Sequence, residues 1–117
     1  MRTHEVTIET LSAPDRSRAG ETVDVIVGVS SCRYDEVVDV RLFVRPGGEA
    51  PSEQADRAAL VVRAGGAPTA TNAVLRATIP ATAATAGSVT VTAVVAVLGL
   101  LAPVRRERSR EISIAVA

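Results

Sequence analysis

Residues 88–101 read Ser-Val-Thr-Val-Thr-Ala-Val-Val-Ala-Val-Leu-Gly-Leu-Leu, and no other stretch constrains the chain as much. Val89, Val91 and Ala93 alternate with Ser88, Thr90 and Thr92. That two-residue period belongs to a strand with one dry face and one wet face. Beyond Thr92 the wet face disappears, because Val94, Ala96 and Leu98 fall on the side that should meet water. The first half therefore predicts a sandwich strand, and the second half predicts a cover over its outer surface.

Six further segments show the same rhythm. Residues 5–11 place Val6 and Ile8 against Thr7 and Glu9. Residues 22–30 alternate through Val23, Val25, Val27 and Val29. Residues 37–45 set Val38, Val40, Leu42 and Val44 inward against Asp39, Arg41, Phe43 and Arg45. A short segment at 58–63 carries Leu60 and Val62, another at 72–79 carries Leu75, Ala77 and Ile79, and the last at 107–116 carries Ile112, Ile114 and Val116. Pro and Gly mark the breaks, at residues 13–20, 46–48, 65–68, 80–87 and 99–103. Residues 46–56 read as a long polar loop, and 51–64 are rich enough in Ala, Glu, Gln and Arg for one short helix. Short strands at this spacing predict an all-β fold, an immunoglobulin-like antiparallel β-sandwich of about seven strands in a single domain over 1–117.

The run Ala-Gly-Glu-Thr-Val-Asp-Val-Ile-Val-Gly-Val at 19–29 resembles an opening common to immunoglobulin-like and fibronectin-like accessory domains. The run Asp-Val-Arg-Leu-Phe-Val-Arg at 39–45 resembles the strand that follows there. The resemblance implies modules that bind, space or decorate, including capsid decoration and tail accessory proteins of phages and viruses. It brings no catalytic residues with it.

The core must be aliphatic, because Tyr34 and Phe43 are the only aromatic residues of 117. Cys32 is the only cysteine, so an intrachain disulfide is excluded. All basic residues are Arg, as codon usage in a GC-rich genome produces, and the formal net charge is zero. No general field therefore draws the chain to nucleic acid or anionic lipid. Four arginines lie within 105–110, but no aromatic residue stands near them to stack bases, so no nucleic-acid partner is expected. His4 is the sole histidine and has no nucleophile at a telling spacing. Asp35, Glu36 and Asp39 do not follow a calcium-loop spacing and read as a solvated loop edge. Gly-Gly at 47–48 and at 65–66 are turns without a phosphate-loop pattern. No enzyme, cofactor or metal is expected, and no membrane insertion. With Met1 leading straight into a strand and no secretory signal, synthesis in the cytoplasm is expected.

The apolar outer set then becomes the functional expectation. In an immunoglobulin arrangement the third, sixth and seventh segments share a sheet with the sixth in the middle. Val94, Ala96 and Leu98 are then expected beside Phe43 and Val37, with Leu100 and Leu101 extending the patch. Arg41, Arg45, Arg105, Arg106 and Arg108 form its rim. The expected role is a structural or interaction subunit, docked on a protein partner or a second copy within a larger assembly, such as a virion. A carbohydrate- or ligand-binding module is the alternative, as is a loop at 46–56 folded over the patch.

Overall fold

The structure, a computed structural model, describes residues 5–47, 51–98 and 107–117. It is an all-β sandwich of two sheets. The first has three antiparallel strands in the order β1 (Val6–Ser12), β3 (Thr22–Ser31), β6 (Thr71–Thr78). The second has five, in the order β2 (Arg16–Ser17), β8 (Glu107–Val116), β7 (Ser88–Val97), β4 (Glu36–Pro46), β5 (Glu53–Val62). The sixth predicted segment does lie between the third and the seventh. Among the described residues no helix is long and apolar enough to cross a membrane.

The valine alternation builds the core. Val25, Val27 and Val29 of β3, Val38, Val40 and Leu42 of β4, and Val89, Val91 and Val95 of β7 are all fully buried. Leu75, Ile79 and Ile114 supply the larger volumes that rings would otherwise fill. In β1 the alternation breaks at Glu9: Ile8 pairs with Val29 and Thr10 with Gly28, so Glu9 is an extra residue. This bulge flips the parity and turns Leu11 into the core beside Val6. Glu9 Oε1 accepts a hydrogen bond of 2.7 Å from Ser30 Oγ, which satisfies the displaced side chain.

Three expectations need correction. The strand expected at 58–63 is present, but it begins at Glu53, so residues 53–57 are neither loop nor helix but the start of an edge strand, β5, paired antiparallel with β4 from Glu36↔Val62 to Val44↔Glu53. Its Ala, Gln, Asp and Arg have little strand preference of their own. The exposed row of backbone groups on β4 overrides that weak preference, as tertiary pairing does for edge positions. The segment therefore widens the sheet instead of folding over its face. Residues 13–20 hold a two-residue strand, β2, parallel to β8. Residues 80–87 hold a single helical turn, α1 (Ala83–Ala86), closed by Gly87 at φ 79°.

Candidate interface on the five-stranded sheet

The outer face of the larger sheet reads in rows across β5, β4, β7 and β8. At one end Val61 faces Val37, and Leu98 donates its backbone N–H to Val37 O at 2.8 Å. The next row is Ala59, Asp39, Ala96, Glu107, and the third is Arg57, Arg41, Val94, Ser109. Then come Gln54, Phe43, Thr92 and Glu111, and finally Arg45, Thr90 and Ser113.

The middle of the face is charged. Arg57 Nε donates to Asp39 Oδ1 at 2.7 Å, and the Asp39 side chain is only 4% exposed. Arg41 Nη2 donates to Glu107 Oε1 at 2.8 Å. Arg41 Nε is buried 3.6 Å from Asp39 Oδ2, close enough for ionic attraction but too far for a hydrogen bond. Asp39 thus lies between two arginines that face each other in the register. The Arg41 guanidinium also stands 5.7 Å from the centre of the Phe43 ring, a cation–π distance.

This arrangement explains the missing wet face of β7. Arg41 is on β4 and Glu107 on β8, and β7 runs between them. The ion pair therefore bridges across β7 in the two rows that hold Val94 and Ala96. Long charged side chains cover apolar surface with their stems while the heads reach water. Ala96 is 1% exposed as a result, and Val94 is half-buried. Among the described residues the cover is a pair of side chains from the same sheet.

The expected patch must be redrawn accordingly. Ala96 has no surface to offer a partner. Phe43 faces Thr92 and lies under Arg41, apart from Leu98. Arg41 sits at the centre of the face, not on its rim. Arg108 shares the parity of Arg110, Ile112 and Ile114 and so points to the opposite side of β8 from Glu107 and Ser109. Arg45 is exposed at the far end of the face. Leu100, Leu101, Arg105 and Arg106 lie outside the described residues, as does His4. Val37 and Leu98 remain, and the pairing with β5 adds Val61, which the sequence reading had placed in no patch. Val37 is 46% and Val61 61% exposed.

The acidic group near the start of β4 is not a solvated edge. Asp39 and Glu36 are buried, and only Asp35 is exposed. Asp35 Oδ1 accepts the Ala64 N–H at 2.8 Å, and its other oxygen lies 3.6 Å from Arg63. Among the described residues no group of three His, Cys, Asp or Glu is placed to hold a metal ion. Cys32 is exposed in the turn between β3 and β4.

Two further surface features were missed in the sequence. Ile26 and Val74 face each other on the outside of the three-stranded sheet, 38% and 63% exposed. Each falls on the wet side of its alternation, so each is legible singly, but their pairing is not. The other feature is an open groove of about 610 Å³ at the side of the sandwich, lined by Val44, Gln54, Asp56, Arg76, Thr78 and Pro80. A bulge in β5 makes room for it: Leu42 pairs with Asp56 and Phe43 with Gln54, which leaves Ala55 unpaired. Asp56 Oδ2 accepts the backbone N–H of Arg76 on β6 at 2.8 Å, so one carboxylate ties the two sheets together at this edge.

No protein-family model matches the chain, and no curated protein matches it. Among solved structures it is similar to the CARDB domain of a Pyrococcus furiosus protein, solved in complex with di-metal ions, at TM-score 0.66 and 10% identity over 97% of this chain and 89% of that one. It is similar to a β-glucosidase from Listeria innocua, solved with isofagomine, at TM-score 0.64 and 13% identity over 97% of this chain. It is also similar to Spo0M, a sporulation control protein of Bacillus subtilis, at TM-score 0.51 and 20% identity over 97% of this chain. The chain spans 16% of the β-glucosidase and 48% of Spo0M. At these identities the likeness is one of fold, and the fold is an immunoglobulin-like β-sandwich.

Proposed function

We propose that this chain is a non-enzymatic interaction module that docks on another protein through the Val37, Val61 and Leu98 end of its larger sheet. The carrying observation is the opposed valine pair, 46% and 61% exposed, at an end of that face that, among the described residues, no ion pair crosses. Apolar side chains grouped on a surface and rimmed by charge are a common mark of an interface. Arg57, with its side chain 58% exposed, and the Arg63–Asp35 pair provide that rim and orient the partner. Two valines and a leucine fall well short of the roughly 800 Å² per partner of a standard interface. The contact is therefore small and reversible, and draws its polar neighbours in.

The fold's occurrence as a fraction of longer chains, in the β-glucosidase and Spo0M, supports a module built into something larger. A virion, as capsid decoration or tail part assembled in the cytoplasm, is the assembly we favour. Capsid or tail genes beside its own would support that step, and other neighbours would remove it. The docking step is tested by light scattering, with the chain alone to millimolar concentration and mixed with the products of neighbouring genes. Association that Val61→Glu abolishes with the melting temperature unchanged supports the reading. A chain that stays monomeric in every mixture overturns it. The groove beside Asp56 favours a second reading, a ligand-binding module, which a thermal-shift screen of oligosaccharides tests directly.

A further inference from the structure

The edge of β8 has a different geometry from the face. Ala115 N donates to Asp15 O and Ala117 N to Ser17 O, both at 3.0 Å, whereas Val116 N turns the other way, to Gly87 O. Odd-numbered residues of β8 thus aim their backbone groups away from β7. The β7–β8 register runs without a shift from Ser88↔Ala115 to Ala96↔Glu107, so the same holds for Glu107, Ser109, Glu111 and Ser113. All four are exposed, and β2 pairs only with Ala115 and Val116. Among the described residues nothing pairs with the rest of this edge, which spans roughly 20 Å.

A second copy fits this edge poorly. The residues run Glu107, Arg108, Ser109, Arg110, Glu111, nearly a mirror sequence. Antiparallel self-pairing centred on Ser109 sets Glu107 against Glu111 and Arg108 against Arg110. Centred on Arg108, Arg110 or Glu111, it sets that residue against its own copy. A register centred on Ile112 avoids these clashes but runs into β2 within a few residues. Like charges directly opposite on a sheet repel, so self-pairing is disfavoured.

The geometry points to the β8 edge as an acceptor for an extended strand of a different protein, one carrying acidic residues opposite Arg108 and Arg110 and basic residues opposite Glu107 and Glu111. Because strand charges alternate between faces, such a segment is acidic on one side and basic on the other. Main-chain hydrogen bonds supply the attraction and the charges select the strand. This site is separate from the valine end of the face, and either can fail without the other.

The probe is a synthetic peptide, Thr-Val-Lys-Glu-Thr-Glu-Lys, whose residues fall antiparallel opposite 113 to 107, and a control with every Lys and Glu exchanged. Titration followed by amide NMR should shift and protect the amides of Glu107, Ser109, Glu111 and Ser113. The control should bind about ten-fold more weakly. Ser109→Pro removes one outward N–H that the β7 ladder does not use, and should abolish binding in a chain that still melts cooperatively. The double variant Arg108→Glu, Arg110→Glu should reverse the preference between the two peptides, which keeps the test open should Ser109→Pro unfold. Equal binding of both peptides, no shift at the four amides, or dimerisation of the chain through β8 would each overturn the proposal.

Discussion

Replacing Asp39 by Asn tests how the outer face is held together. The two side chains have nearly the same shape, so the change removes charge and little else. What is lost is a charge-assisted hydrogen bond of 2.7 Å from Arg57 Nε, of a kind worth roughly 1.5–3 kcal/mol, together with the attraction of the buried Arg41 Nε 3.6 Å away. What is left is Arg57 opposite Arg41 with no acid between them, a like-charge pair that costs a further few tenths to about 1 kcal/mol. Arg57 is 58% exposed and regains water, which returns part of this; Arg41, at 27%, regains less. The net loss is about 2–3 kcal/mol. For a chain of this size about 3–5 °C of melting temperature follows each kcal/mol, so a fall of roughly 6–15 °C is expected. Urea unfolding should show a lower midpoint at unchanged slope. In an Arg57→Gln background the same substitution should cost at least about 1 kcal/mol less, because the pair is already broken. A change below about 0.5 kcal/mol for Asp39→Asn would refute the reasoning, since the carboxylate would then contribute no more than a neutral amide.

Leu75→Ala, at a fully buried site in β6, should cost about 2–5 kcal/mol, and a chemical melt that moves by less than 1 would show that the core closes over the space. Gly28→Ala places a Cβ 2.7 Å from Asn72 Oδ1 and 3.1 Å from Thr10 Cβ. The Asn72 amide can swing aside but the Thr10 Cβ is tied to the backbone, so a loss of about 1 kcal/mol in urea unfolding is expected, against the slight gain that Ala brings to an uncrowded strand. Asp56→Ala leaves the Arg76 N–H without its carboxylate, and hydrogen exchange at that amide should quicken at least several-fold while the β3 amides hardly change.

The inner faces of the strands were legible because burial is decided one residue at a time. Val25, Val40 and Val91 each sit in an alternation that allows only one dry side, and each is fully buried. The end of β5 was legible through Leu60 and Val62, but its first half was hidden because nothing in residues 53–57 prefers a strand; their state is set by pairing with β4. The bulge at Glu9 was hidden for a related reason. An extra residue flips Leu11 inward only because Thr10 pairs with Gly28, and a one-strand pattern cannot show a two-strand register.

The same distinction governs the outer face. Residues 88–98 show that apolar side chains stand where water should be, and in the structure they do. What covers them depends on a residue one strand to either side, and only the register brings Arg41 and Glu107 across β7. Once that bridge is placed, Ala96 drops out of the exposed surface and Val61 enters it, although neither residue's own neighbours in sequence have changed. The bridge also divides the face by chemistry. Its middle is an ion-pair network whose charges are already paired with one another, so a partner gains little by displacing them. The valine end has no such competition, since Val37 and Val61 lose only water on docking. That difference makes a small apolar end, and not the larger charged centre, the part of this sheet suited to reversible contact.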